Sequence, residues 1–263
     1  MTALNDSLAL ETLGPNLYRG HADPAYLGPS GMFGGWIAAL MLKAVLDGPS
    51  AESSASALTV NFLNPVPAGS SLTLRRQSLG GSRSLAHWRC DLSVEGSDDL
   101  AVAATIVLAK RRDSQGFVES AMPEVPAPEG LETYHGSAGP FSEHNDQRRV
   151  APDTPFNQNS TRSLTWQRED SGRPLDTVQL AYLCDIGAPR VYFISDGRRP
   201  SSTITLSLYI HATDAELRTC GDDFILSDTI GTRIEHSTVG EKSSLWSRSG
   251  KLLATSEQLC WFR

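Results

Sequence analysis

The run Gly31-Met-Phe-Gly-Gly-Trp-Ile-Ala-Ala-Leu-Met-Leu-Lys-Ala-Val-Leu46 decides how the rest of the chain must be arranged. From Trp36 to Leu46 ten of eleven residues are apolar, and several are good helix formers. A helix apolar on nearly every side has to be buried on nearly every side, so something must wrap it. Strand-like runs follow at 57–63, ended by Asn64-Pro65, and at 71–75, 85–92 and 100–108. Gly80-Gly81-Ser82 and Glu95-Gly96-Ser97 separate them, as consecutive antiparallel hairpins require.

The same order recurs further on. A helical segment over 175–187 stops at Gly187 and precedes strand-like runs at 202–210, 224–235, 243–247 and 252–262. Ala101-Val-Ala-Ala-Thr-Ile-Val-Leu108 lines up with Leu252-Leu-Ala-Thr-Ser-Glu-Gln-Leu259, so both halves finish on the same kind of strand. One buried helix followed by four or five antiparallel strands, twice over, is an α+β layout with helices on one face of the sheet. Between the halves, Ser114 to Ser160 holds six of the 15 prolines among Glu, Gly, Asn and Ser, a linker composition. The expected organisation is an N-terminal repeat over 1–115, a linker over 116–160 and a C-terminal repeat over 161–263.

With 263 residues, 40% of them hydrophobic and 20% charged, the chain has the composition of a globular protein with a substantial core. Its 23 basic and 30 acidic residues give a formal charge of −7, and Lys110-Arg111-Arg112 is the longest basic run. That argues against nucleic acid as a partner, because phosphate contacts need a basic face. No stretch resembles a signal peptide or a membrane span, so the expectation is no membrane insertion. Cys90, Cys184, Cys220 and Cys260 lie 30 or more residues apart with no C-x-x-C pair. They read as buried thiols in a reducing cytoplasm rather than as a zinc site or a disulfide framework.

Four features carry a resemblance. They are Phe33-Gly34-Gly35 opening an apolar helix, Phe62-Leu-Asn-Pro65 ending the next strand, Gly172-Arg-Pro-Leu-Asp176 before a helix ending in Leu-Cys-Asp185, and the terminal Leu252-Leu-Ala-Thr-Ser-Glu-Gln258. Together they resemble the acyl-CoA thioesterase II family, over nearly the whole chain apart from the linker. The resemblance implies a double hotdog fold, acyl-CoA as substrate, and no metal or redox cofactor. It also implies association of double hotdogs into homo-oligomers. That family holds and activates the attacking water with an Asp, a Thr and a Gln from the second repeat, and the matching positions are Asp185, Thr203 and Gln258. Thr205-Leu206 stands where an Asp-His pair often follows the Thr, which bears on substrate range more than on catalysis.

Residue chemistry adds to this reading. At helical spacing Asp185 shares a face with Val178, Ala181 and Tyr182, an apolar stripe where an ionised group is costly unless hydrogen-bonded. The first repeat has no Asp or Glu between residues 31 and 46; Asp47 lies just beyond. There Val107 matches Gln258, and the match to Thr203 falls near Ala55. A requirement of the fold would show in both copies, so this asymmetry points to a single site built by the second half. Gly34 and Gly35 at the start of a helix either let a ligand approach backbone N–H groups or serve close packing. Trp36, Phe33 and Met41 read as core, Arg198-Arg199 and Lys110-Arg111-Arg112 as contacts for CoA phosphates or as solvated strand ends. The histidines lack metal-ligand spacing. Two rivals stand beside hydrolysis of a fatty acyl-CoA by Asp-activated water. One is a non-catalytic acyl-CoA or acyl-lipid binding protein. The other is a hotdog enoyl-CoA hydratase, for which His21 and Asp23 form the nearest acid-base pair.

Overall fold

The structure is a computed structural model, and residues 3–48, 53–134 and 139–263 are described. The first half carries α1 (Leu4–Ser7), β1 (Glu11–Gly14), β2 (Leu17–His21), a small hairpin of β3 (Leu27–Gly28) and β4 (Gly31–Met32), and the long helix α2 (Gly34–Leu46). Four strands follow, β5 (Ser54–Phe62), β6 (Ser71–Gly81), β7 (Leu85–Val94) and β8 (Leu100–Ala109). The second half carries β9 (Asn145–Ala151), β10 (Ser163–Glu169), α3 (Thr177–Leu183), α4 (Arg190–Phe193), β11 (Ser201–Ile210), α5 (Asp214–Thr219), β12 (Ile225–Glu235), β13 (Thr238–Ser247) and β14 (Leu252–Phe262). The stretch 116–160 contains β9 as well as irregular chain.

Apart from the β3–β4 hairpin, these strands form one twelve-stranded sheet in the order β1-β2-β6-β7-β8-β5-β11-β14-β13-β12-β10-β9. The halves join at β5 and β11, which pair antiparallel from Thr205 opposite Asn61 to Tyr209 opposite Ala57. Thr59 and Ser207 add a hydroxyl hydrogen bond of 3.1 Å across this seam. The sheet curls around the two helices, giving the double hotdog that the sequence predicts.

Helix α2 is buried on every side but one. Trp36, Ala38, Ala39, Met41, Leu42 and Ala44 are fully enclosed, and Lys43 reaches the surface to pair with Asp47 at 2.9 Å. The helix packs against β5–β8 of its own half and against α3 of the other. The approach to α3 is so close that Gly35 has no room for a side chain. A Cβ there would lie 2.4 Å from the Tyr182 carbonyl oxygen and 2.6 Å from the Phe33 ring. The Phe33 ring is itself fixed, stacked on Phe141 and edge-on to Tyr182.

Several elements escape the pattern reading. Beyond Arg75, β6 continues to Gly81 with mostly exposed positions, so no alternation marks it. Strands β1 and β9 lie at the two sheet edges; β1 is mostly exposed, and the positions β9 buries, Asn145 and Gln147, are polar, so neither writes an apolar alternation.

If the helices meet as described, Gly35→Ala should cost about 1–3 kcal/mol, as overpacking of a tight contact does. Gly197→Ala, where an added Cβ meets nothing within 4 Å, should be near neutral. Urea unfolding of the two variants measures the difference.

Candidate functional site

Helix α3 is shorter than its apolar pattern implies. Asp176 caps its start by accepting from the Gln179 N–H at 2.8 Å, and the Gln179 side chain returns the bond to the Asp176 N–H. At the other end Cys184 is the C-cap, so Asp185 lies just past the cap rather than on the helix face. Gly187 and Pro189 close the way to further helix. The carboxylate of Asp185 therefore leaves from a turn and reaches back across the first residues of α2.

Thr203 and Gln258 come from neighbouring strands. Along most of the β11–β14 ladder the partners run in step, with Leu206 opposite Gln258 and Thr205 opposite Leu259. A bulge at Ile204 then puts Thr203 opposite Cys260. Without that extra residue Thr203 would face outward; the bulge re-aims it to the inner face that Gln258 occupies. Thr203 Oγ1 donates to Gln258 Oε1 at 3.1 Å, and Gln258 Nε2 donates to Asp185 Oδ1 at 3.0 Å. The three side chains singled out by the sequence thus form one chain of hydrogen bonds, with the amide locked in one orientation by its two neighbours.

Gly34 and Gly35 stand beside this chain. A Cβ on Gly34 would lie 2.7 Å from Asp185 Oδ2 and 3.4 Å from the Phe62 ring. The N-cap residue of α2, Phe33, makes no side-chain cap; the Gly35 N–H donates to the Asp185 carboxyl instead, which therefore stands at the partly positive end of the helix. Burial pushes Asp185 up to about 7, with help from the negative charge of Glu241; hydrogen bonds from Gln258 and from the Gly35 N–H pull the other way.

Glu241 and Arg190 escape the sequence reading. Glu241 lies on β13 directly opposite Gln258, and Arg190 Nε approaches Glu241 Oε2 to 3.5 Å. The sequence pattern places this strand at 243–247, five residues too late at its start. The turn that opens it, His236-Ser237, puts two non-glycine residues at positive φ, so the usual Asn-Gly or Asp-Gly hairpin mark is missing.

Other candidates sort by position. Arg199 donates to the Arg263 carbonyl at the same sheet end as Thr203. Arg111 donates to the carbonyl of Ile210, seven residues along β11 from Thr203 and so roughly 23 Å away at strand spacing. Asp23 accepts from the Ala25 N–H at 2.9 Å as the cap of a short turn, and His21 is exposed at the end of β2. Trp36, Phe33 and Met41 are core. Among the described residues no three His, Cys, Asp or Glu side chains gather where they could hold a metal ion.

Among the described residues, the first half has no equivalent of this chain. Bulge for bulge, Ala55 occupies the place of Thr203, and Ile106, opposite Leu58, occupies that of Gln258. The sequence alignment chose Val107, one residue away, and a slip of one residue moves a side chain to the other face. The helix ends there are also closed. Arg76 donates to the Ala44 and Val45 carbonyls at the end of α2, and Asp176 caps α3. Asp47 is spent on its pair with Lys43.

The chain matches the acyl-CoA thioesterase N-terminal domain over residues 23–109 and the acyl-CoA thioesterase C-terminal domain over residues 119–262. A conserved hot dog fold protein of unknown function from Alicyclobacillus acidocaldarius is 30% identical, with a TM-score of 0.94 over 100% of this chain and 98% of that one. The acyl-CoA thioesterase II TesB2 of Mycobacterium marinum is 20% identical, with a TM-score of 0.81 over 99% of this chain and 98% of that one. The tesB protein of Mycobacterium avium subs paratuberculosis gives the same identity, TM-score and coverage; at that identity the likeness is one of fold. No curated protein matches. The chain belongs to the acyl-CoA thioesterase family.

A carboxyl group raised to about 7 makes stability depend on pH in a definite sense. The folded protein holds this proton more tightly than the unfolded chain, whose Asp ionises near 3.9. The contribution is therefore full below about pH 4 and is lost as pH rises through about 7. Asp185→Asn should melt above wild type at about pH 8, with the gap closing towards about pH 4 in thermal melts. Equal midpoints at the higher pH would mean that Asp185 ionises freely in the fold.

Proposed function

We propose that the chain hydrolyses fatty acyl-CoA to free acid and CoA, with Asp185 activating the water. The observation that carries this is the Thr203–Gln258–Asp185 chain lying against the glycine-opened N-terminus of α2, where the Gly35 N–H donates to Asp185. A group near 7 at neutral pH is divided between a form that accepts a proton and one that returns it, the condition for general acid–base work. The ionised carboxylate takes a proton from water, whose oxygen bonds to the thioester carbonyl carbon. The carbonyl π electrons move onto its oxygen, where N–H groups of the first turn of α2 meet the developing charge. As the carbonyl re-forms, the C–S bond breaks and Asp185 returns the proton to the leaving sulfur. Thr203 and Gln258 hold the water in line, which is why a fixed amide orientation matters.

The net charge of −7 would repel CoA phosphates, and the Arg198-Arg199 pair at the Thr203 end of the sheet supplies the local positive charge. The hydratase alternative finds no support in the geometry, since Asp23 is engaged as a turn cap and His21 is exposed at the end of β2.

Release of free CoA thiol from a panel of short, medium and long acyl-CoAs tests the reading. Wild type should release thiol, and Asp185→Asn should lose about 10²–10⁴-fold in kcat, the span of general base catalysis. With wild type, kcat/KM should rise with pH and level off above about 7, following ionisation of the carboxyl. Acyl-CoA binding without thiol release, or full turnover by Asp185→Asn, would favour the binding protein.

A further inference from the structure

Behind the hydrogen-bonded chain lies a buried pair of charges that hydrolysis as written above does not use. Glu241 sits directly opposite Gln258 in the β13–β14 ladder, so the two side chains stand on the same inner face about 5 Å apart at their Cβ atoms. Gln258 in turn donates to Asp185. On the far side of Glu241 is Arg190, whose side chain is 1% exposed. Its guanidinium donates to the Ala188 and Thr161 carbonyls and to Ser163 Oγ, and lies over the Phe193 ring at 4.3 Å. The residue opposite Glu241 on β12 is Gly231, and a Cβ there would come within 3.5 Å of the Arg190 Cβ. A missing side chain on one strand thus leaves the channel through which Arg190 reaches the carboxylate on the next.

A buried arginine could simply tie the turn that follows Asp185 to the sheet, and the bonds to Ala188, Thr161 and Ser163 do that. They do not require an acidic residue opposite Gln258. We propose that Glu241 is a positioning residue whose carboxylate, held by Arg190, makes Asp185 a stronger base through the inner face they share with Gln258. This rests on the hydrolase reading of Asp185. Burial raises the Glu241 carboxyl above its ordinary range and the Arg190 guanidinium works against that rise; once Glu241 is ionised, its negative charge disfavours a second one on Asp185. Among the described residues, the other titratable groups felt at this place are the Cys184 and Cys260 thiols, with Arg149 facing Arg190. Burial pushes both thiols up, so they stay neutral across the working range. Glu241 is then the charge that adds to burial in raising the proton affinity of Asp185.

Two readouts test this: the pH dependence of kcat/KM, and carboxyl-carbon NMR titration of Asp185 in the unliganded protein. In Glu241→Gln both midpoints should move down by about one pH unit, and the plateau rate should fall a few-fold, as a weaker base requires. Glu241→Asp, which keeps the charge, should recover most of the shift. Unchanged midpoints in Glu241→Gln overturn the proposal. Should Glu241→Gln fail to fold, wild type still decides, because Glu241 must ionise at a lower pH than Asp185, and the reverse order overturns the proposal. If wild type releases no thiol, the hydrolase reading fails, while the carboxyl titration still reports separately whether Glu241 governs Asp185.

Discussion

The contact between the first turn of α2 and the last turn of α3 is the constraint on which the rest depends. Gly35 lies against the Tyr182 carbonyl with no space for a side chain, and Gly34 leaves its place to the Asp185 carboxylate. The helices belong to different halves of the chain, so their approach joins the two repeats into one core. It also sets a carboxylate beside the positive end of a helix whose own N-cap residue, Phe33, makes no side-chain bond. Packing and electrostatics are here the same feature. The separation that allows the core to close also brings Asp185, Gln258 and the first turn of α2 together.

A duplicated fold offers this junction twice, at either end of the helix pair. At the second junction the polar positions are Ala55 and Ile106, Arg76 satisfies the last carbonyls of α2, and Asp176 satisfies the first N–H groups of α3. Each of these is an ordinary stabilising device, a C-terminal cation and a capping box among them. Each also removes a group that a ligand could have used. At the first junction the same devices are absent: the N-cap residue Phe33 makes no side-chain bond to α2, and Asp185 ionises at a cost from burial that the hydrogen bonds from Gln258 and the Gly35 N–H offset only in part. Stability is expressed at one end of the helix pair and given up at the other, as sites of chemistry commonly require.

The sequence disclosed what periodicity and composition can encode. The apolar run of α2 predicted a wrapped helix and its recurrence predicted the duplicated sheet, while Asp185, Thr203 and Gln258, which the family resemblance rather than any periodicity implied, are drawn together in the fold. What it hid was set by tertiary geometry. The bulge at Ile204 that turns Thr203 inward carries no residue signal, and the matching shift in the first half moved the counterpart of Gln258 from Val107 to Ile106. The apolar spacing of 175–187 implied that Asp185 rides on a helix, whereas α3 ends at Leu183 and the carboxylate leaves from a turn. Glu241 stayed unseen because its hairpin turns on His236-Ser237, without a glycine, and because an acidic residue in a strand looks solvated until its opposite neighbour is known.

The central claim is that the two junctions of this duplicated fold differ in kind and that one alone takes a thioester. Calorimetric titration with a non-hydrolysable acyl-CoA thioether measures this directly. The account predicts one molecule bound per chain, with binding abolished by Gly34→Val, which would fill the space beside Asp185, and kept by Ala55→Val at the other junction. Two molecules per chain, or binding lost with Ala55→Val and kept with Gly34→Val, would contradict it.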